Sequence, residues 1–413
     1  MWREAGKGLG RVWQRLVLET LRAGCRAALR IRPLSSIDGK PPAPRSVVLF
    51  STAGIGDTLS DTPAIRALRE SFPACRITAV VHRGRRAVLE GNPNIDRLIP
   101  HAKGPVSFLR TLSAIREERP DTAVTLRAND PDIWPLAYLS GARVIVSRSR
   151  MTRFPFLVNL PVDVPDWLER PGVLQTLEIV RALGADTTDP RMDYVVPERA
   201  RQTVGGYLRA QGLDGDTLVA VQIHHSPRLA FRDWPVDHFI ALGRRILDAY
   251  PVRLVITGGR EDAAAAGSVA GALGPGAALF AGRLALPETA ALLTCCRMLI
   301  TTDTGIMHLG FAVRVPTLAL LHPYNAHRVG PHGYGRLHHV VLLPHSLCQG
   351  ENPPRTGLNR LAPEVVFRAF QQFWEQSAGA AGLGGADSLH RGCASRVSGR
   401  GLKQSGGSDR IPL

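Results

Sequence analysis

Several short stretches of the 413-residue chain set acids, arginines and glycines where an apolar run gives way to a helix-like pattern. "STAGIGDTLSDTP", residues 51 to 63, lies directly behind the apolar run Val47–Val48–Leu49–Phe50. Gly54 and Gly56 let the backbone turn tightly and come close to something, and Asp57 falls where the next helix should begin. A carboxylate there can take a proton from a hydroxyl, or it can simply cap the helix. In "TTDTGIMHL", residues 301 to 309, a strand ends at Asp303 and Thr304–Gly305 open a helix. Free backbone N–H groups and the helix dipole make such a place an anion site, with Gly305 allowing close approach and His308 within one turn. Ordinary capping by Asp303 or Thr304 is the alternative. "FRDWP", residues 231 to 235, puts Arg232 beside a tryptophan and a helix-starting proline. Its guanidinium can fork onto a phosphate or stand as a solvated surface charge. In "LVITGGREDAAAA", residues 254 to 266, Glu261 can bind a ribose hydroxyl or favour the helix dipole. Gly54-Ile55-Gly56 lacks the third spaced glycine of a dinucleotide fingerprint, so NAD binding gains little.

Positioning these groups needs an α/β framework. Strand and helix patterns alternate along residues 47–50, 64–71, 77–81 and 85–89, and hydrophobic pieces at 122–126 and 144–146 continue the rhythm. That argues for a parallel sheet with crossover helices. "GADTTDPRMDYVVPE", residues 184 to 198, is turn-rich and reads as the crossover between halves. The second half restarts with strands at 218–223, 253–257, 298–302 and 317–321, and helices at 236–250, 261–273, 286–296 and 305–313. Two doubly wound halves facing a cleft follow, with ligands at the carboxyl ends of the strands. The boundaries expected are an N-terminal lobe over 46–197, a C-terminal lobe over 198–362 and a closing helix over 363–376.

Three other segments flank these lobes. Residues 1–32 form a basic amphipathic leader, with Arg3, Lys7, Arg11, Arg15, Arg22, Arg26 and Arg30 on one half of a helical wheel. Trp2, Leu9, Trp13, Leu16, Val17 and Leu21 lie on the other half, while Leu18 and Leu29 break the pattern. The leader can lie in an anionic membrane interface, stay solvated, or dock on the protein. Residues 33–45, ending in "DGKPPAPR", are a linker, and residues 377–413, rich in Gly, Ala and Ser, should be disordered.

Composition is globular, at 44% apolar and 21% charged. The formal net charge of +16 and pI near 10.5 imply an anionic partner without naming it. Cysteines at 25, 75, 295, 296, 348 and 393 show neither CxxC nor Cys/His spacing. Neither a zinc site nor a disulfide framework is indicated, which fits a reducing cytosol. No apolar run reaches the ~18 residues of a membrane span, and no secretory signal shape is present.

Taken together the stretches resemble the lipopolysaccharide heptosyltransferase family, glycosyltransferase family 9, over about residues 46 to 376. Three blocks in order carry it: "AGIGDTLSDTPAIRALRESFP" with "EGNPNIDRLI", then "FRDWPVDHFIALGRRI", then "TTDTGIMHLGFAVRVPTLAL". The resemblance implies a GT-B fold of two Rossmann-like lobes, with acceptor on the first and nucleotide sugar on the second. It further implies an ADP-heptose donor, inversion at the anomeric centre, and no metal or cofactor beyond the ADP-sugar co-substrate. Asp57 then matches the general base, with Gly54 and Gly56 on the acceptor-side loop. Arg232 stands where a lysine contacts donor phosphate, and Glu261 matches a ribose-contacting glutamate. Asp303, Thr304, Gly305, Ile306 and His308 match the donor-binding loop, and Leu284 falls where a hydrophobic residue packs near adenine.

Departures accompany the match. Arg232 replaces lysine, "QIHHSP" (222 to 227) replaces a Pro-Gly turn, and "RPGVLQTLEIV" lacks a histidine that many members carry nearby. The expected activity is transfer of heptose from ADP-heptose to a Kdo- or heptose-bearing lipid A acceptor. The expected location is cytoplasmic, peripheral on the inner face of the cytoplasmic membrane. Transfer of another sugar, transfer to a protein, and non-catalytic nucleotide-sugar binding are the competing readings. Nucleic acid is not an expected partner, since no base-stacking motif or recognition helix accompanies the charge.

Overall fold

The computed structural model describes residues 19–128, 130–149, 154–224, 230–347 and 356–381. The first sheet holds β1 (Ser46–Ser51), β2 (Arg76–His82), β3 (Arg97–His101), β4 (Thr122–Thr125), β5 (Val144–Arg148) and β6 (Leu160–Val162). Its order is β3-β2-β1-β4-β5-β6, with every neighbouring pair parallel. The second holds β7 (Leu218–Gln222), β8 (Arg253–Thr257), β9 (Ala277–Leu279), β10 (Cys296–Thr302), β11 (Thr317–Leu321) and β12 (His338–Leu342). Its order, β12-β11-β10-β7-β8-β9, repeats the same winding and is again parallel throughout. Central strands such as β1 and β7 read as unbroken apolar runs because helices cover both faces. In each lobe the strand order reverses between two central strands, β1 and β4 or β7 and β10. Crevices form at those points, at the carboxyl ends.

The strands that the sequence pattern did not reveal are all at the sheet edges, and the helices Pro105–Glu117, Gly172–Arg181 and Glu198–Ala210 were not read from it either. β3, β6, β9 and β12 are outer strands, and β6 has only 3 residues with Pro161 in the middle. Residues 85–89, expected as a helix, belong to the 3-10 turn Arg83–Val88. The helix expected from Glu261 begins at Ala263, because Asp262 takes the N-cap position. The last helix is Pro363–Ala381, longer than expected, since the alanines after Gln376 continue a helix easily. Residues 382–413, the rest of the tail, lie outside the described residues.

The described part of the leader, residues 19–31, is helical and docked on the N-terminal lobe. Cys25 is buried, and Leu21, Ala28 and Leu29 pack beside it on the core that holds Tyr138 and Phe154. Leu29, which broke the amphipathic wheel, belongs to this inward stripe. Arg22 and Arg26 sit over the rings of Phe154 and Phe156, and Tyr138 donates its hydroxyl to the Arg32 carbonyl at 2.8 Å. Residues 1–18 lie outside the described residues.

The crossover between halves is fastened to both. Arg66, on the first lobe's helix Thr62–Ser71, holds Asp193, and Asp193 also pairs with Arg314 of the second lobe at 3.5 Å. The Tyr334 hydroxyl accepts the Met192 N–H at 2.8 Å. Among the described residues no helix is long and apolar enough to cross a membrane.

Candidate active site

A cavity of about 590 Å³ opens between the lobes at the carboxyl ends of both sheets. From the first lobe it receives Gly54, Gly56, Asp57, Arg85, Arg127, Arg148 and Trp167; from the second, His224, Arg232, Asp303, Thr304, Gly305, His308 and Arg328.

Asp57 occupies the first turn of the helix Ile55–Ser60, directly after β1. Its two oxygens have different partners, one the helix start and the other an arginine. Oδ2 accepts the Gly54 N–H at 3.2 Å as a helix cap, while Oδ1 meets Nη1 of Arg127 at 2.9 Å. The side chain remains 44% exposed, so the carboxylate is accessible from the cavity.

Arg127 follows β4, the strand beside β1, and its carbonyl accepts the N–H groups of Thr52 and Ala53. Its Nη2 donates to the Gly172 carbonyl at 2.7 Å and to Gln175 Oε1 at 3.0 Å. A Cβ on Gly172 would stand 2.9 Å from Nη2, so the bare backbone there lets the guanidinium through. The stretch that lacks the usual histidine, residues 170–180, thus supplies Gly172 and Gln175 to orient Arg127.

The two glycines of the first loop differ in what their bare backbone permits. Gly54 has φ −65°, open to any residue, so its use is not forced by the backbone. Gly56 lines the cavity but is pressed against the second lobe: a Cβ there would overlap the His308 ring. A Cβ on Gly305 would likewise sit 3.0 Å from Cβ of Ile55. The glycines at the two helix starts bring lobe to lobe beside the cavity.

On the second lobe, Arg232 Nη1 pairs with Asp303 Oδ2 at 2.9 Å, and Asn325 Nδ2 donates to the same oxygen at 2.6 Å. Thr304 caps the helix Gly305–Ala312 by accepting the Met307 N–H at 3.2 Å. The helix's first N–H groups remain beside the cavity as an anion cradle. His308 is buried, and burial above all holds its proton affinity below the usual imidazole value; nearby Asp303 and Asp57 oppose the shift, while Arg127 and Arg232 add to it. Its ring forms part of the lobe contact, against Gly56.

Three expected donor residues do not reach the cavity wall. Glu261 is exposed in the turn after β8, displaced outward because Asp262 turns in to bind His224 at 3.2 Å and the Gly259 N–H at 3.1 Å. Leu284, in the loop after β9, and Ile306, the second residue of its helix, are half-buried against the second lobe's core. Of "QIHHSP", His224 lines the cavity, while residues 225–227 lie outside the described residues. Arg85, Arg127, Arg148, Trp167 and Arg328 were missed from the sequence; the usable signal for the first three was a position at or just past the carboxyl end of β2, β4 or β5. Arg148 lies over the Trp167 ring at 3.9 Å. Among the described residues no group of three or more His, Cys, Asp or Glu could hold a metal ion.

Two Rossmann-like sheets of identical strand order, facing one cleft with their carboxyl ends, define the GT-B architecture. The chain belongs to glycosyltransferase family 9 (heptosyltransferase), whose sequence profile matches residues 147–353, half of its length. It is 26% identical over 287 residues to lipopolysaccharide heptosyltransferase 3 of Escherichia coli, covering 64% of this chain and 80% of that one. Among solved structures it resembles a family 9 glycosyl transferase from Veillonella parvula, with TM-score 0.68 and 22% identity over 80% of this chain and 97% of that one. It also resembles an E. coli heptosyltransferase solved with ADP-2-deoxy-2-fluoro heptose, with TM-score 0.60 and 18% identity over 79% and 99% of the two chains.

Proposed function

We propose that this glycosyltransferase moves a heptose from ADP-heptose onto an anionic, lipid-linked core oligosaccharide, with inversion and without a metal. The observation that carries the reading is the opposition, across one cavity, of a solvent-accessible carboxylate, Asp57, and a cationic helix start, Arg232 with Thr304–Gly305. The acceptor hydroxyl attacks C1 of the donor sugar from the face opposite the nucleotide. As the new C1–O bond forms, the hydroxyl proton passes to Asp57 and the bond from C1 to the diphosphate oxygen breaks, its electron pair leaving with the diphosphate. Arg232 and the free amides at Gly305 and Ile306 stabilise the charge that grows there. Glu261 and Leu284, on loops after β8 and β9 at the same carboxyl edge but outside the cavity wall, would meet the ribose and adenine only where the donor extends past that wall. The heptosyltransferase solved with an ADP-heptose analogue supports this choice of donor.

The acceptor's anionic character is supported by Arg85, Arg127 and Arg148 on the first lobe's side of the cavity and by the net charge of +16. A peripheral position on the inner membrane brings such an acceptor within reach. Asp57→Asn tests the reading, since it keeps size and capping but removes the proton acceptor. Transfer should fall by at least ~10²-fold with donor affinity and melting temperature held. A well-folded Asp57→Asn protein with near-normal transfer would end it. A binding panel of ADP-, UDP- and GDP-sugars tests the donor, and equal or tighter binding of UDP-sugars refutes ADP.

A further inference from the structure

Four residues beyond Asp57 stands a second aspartate. Asp61 is the N-cap of the helix Thr62–Ser71, yet its side chain makes no cap bond. It turns instead towards the end of β1, fully buried, and its Oδ2 accepts the Ser51 hydroxyl at 2.6 Å. Its Oδ1 has no hydrogen-bond partner and faces Nε of Arg127 at 3.6 Å, an atom that is itself buried without a partner. The same guanidinium holds Asp57 through Nη1, while Gly172 and Gln175 anchor Nη2. One cation therefore stands between a sealed carboxylate and the one that opens on the cavity.

We propose that Asp61 is a positioning residue that acts through Arg127, setting how tightly the reactive carboxylate of Asp57 is held. The inference rests on the reading of Asp57 as the base. When Asp61 is protonated, the Arg127 charge is committed to Asp57. When Asp61 ionises, Nε–H closes onto Oδ1, a small movement from 3.6 Å to the ~2.9 Å of an ordinary bond. Arg127 is then shared, and Asp57, less neutralised, accepts the acceptor's proton more readily.

The surroundings put this change in a useful range. Burial pushes Asp61 up to about 7, against the Arg127 charge, the Ser51 hydroxyl and the Arg127 backbone N–H, with the Asp57 charge adding to the rise. Among the described residues no other charge competes in the contact. Arg66, one turn along, is committed to Asp193; Gln175 reaches Asp61 only through Arg127; and His308, from the second lobe, is buried, with its proton affinity lowered by that burial.

The test is the single-turnover rate of sugar transfer over about pH 5.5–8.5, which brackets the Asp61 value, with melting curves for every variant. The wild type should speed up through pH ~7. Asp61→Asn, which cannot ionise, should stay near the low-pH rate, roughly 3–10-fold below wild type at the alkaline end, with KM unchanged. Ser51→Ala removes a donor to the ionised form and should move the inflection to higher pH without abolishing it. An Asp61→Asn protein with the wild-type profile overturns the inference, and so does an unmoved inflection in Ser51→Ala, the decisive variant if Asp61→Asn fails to fold. Either result alongside an inactive Asp57→Asn leaves the base assignment standing; an active Asp57→Asn removes that assignment instead.

Discussion

Gly56 of the first lobe and His308 of the second touch so closely that any side chain at Gly56 would overlap the imidazole ring. The reactive carboxylate and the donor loop thus meet through a patch of bare backbone. Gly56→Ala should push the lobes apart at this point, at the ~1–3 kcal/mol typical of overpacking. Melting temperature and transfer rate should both fall, while donor affinity, a property of the second lobe, should stay near wild type. Unchanged transfer by Gly56→Ala would mean that the lobe contact is not needed for turnover.

Arg127 is expected to matter in two opposed ways. Its loss takes away the counter-ion that stands 2.9 Å from Asp57, which favours proton transfer to the carboxylate. It also unanchors the carboxylate, and misplacement by ~1 Å costs about 10²-fold. The second effect wins, so Arg127→Ala should transfer roughly tenfold more slowly than wild type. It should also melt earlier, because buried Asp61 loses the cation that faces it. Arg127→Lys should recover part of the stability but little of the rate, since an ammonium cannot fork between Asp57, Gly172 and Gln175. Melting curves and single-turnover rates on both variants decide it.

That Asp57 is legible in the sequence while Arg127 is not has a physical cause. β1 is an unbroken apolar run punctuated by glycines and an acid, and β10 ends in a cap and a helix start; both signals are local. Arg127 follows a strand of 4 residues, and its partner Gln175 is 48 positions away. Only the pairing of β4 beside β1 brings Arg127 to Asp57, 70 positions away. Asp61 misleads in the other direction. Its place before a proline-led helix reads as a cap, but its carboxylate is drawn to Ser51 and Arg127. Glu261 does stand near a helix start, yet the inward turn belongs to its neighbour Asp262.

Arg232 should contribute to donor binding through charge-assisted contacts to the diphosphate. Arg232→Ala should weaken binding of the ADP-sugar by about 1.5–3 kcal/mol, roughly 10–150-fold in the dissociation constant. Part of that weakening will come from Asp303, which the substitution leaves held, among the described residues, by Asn325. An unchanged constant by titration calorimetry would return Arg232 to a structural role in holding Asp303.

Asp61 should leave a mark on stability as well as on rate. Its folded-state affinity for a proton is raised, so the folded chain binds more proton than the unfolded chain between the ordinary value of 3.8 and about 7. Stability from this group is complete below that window and is lost as pH rises through it. The decrease has an upper bound of about 4 kcal/mol. Asp61→Asn should remove it, so the melting temperature of the variant relative to wild type should climb from pH ~4 to ~7 and then level off. A constant difference across that range would show that Asp61 does not change protonation on unfolding.

The docked leader predicts a limit on truncation. Residues 21, 25, 28 and 29 form one inward helical stripe, with Cys25 buried and Arg22 and Arg26 laid over Phe154 and Phe156. Arg32 donates to the Tyr138 carbonyl at 3.0 Å, and Tyr138 donates back. Deleting residues 1–32 strips this cover from the first lobe's core, and each large aliphatic side chain removed from it takes away up to ~1.5–3 kcal/mol. The deleted protein should therefore melt well below wild type and lose transfer to a soluble acceptor along with its fold. Deleting residues 1–18 keeps the docked helix and should preserve both. If only the first 18 residues serve a membrane, that shorter deletion should lose co-sedimentation with anionic liposomes at low salt while retaining turnover. Equal melting temperatures for the two deletions would show that the helix over 19–31 adds nothing to the lobe beneath it.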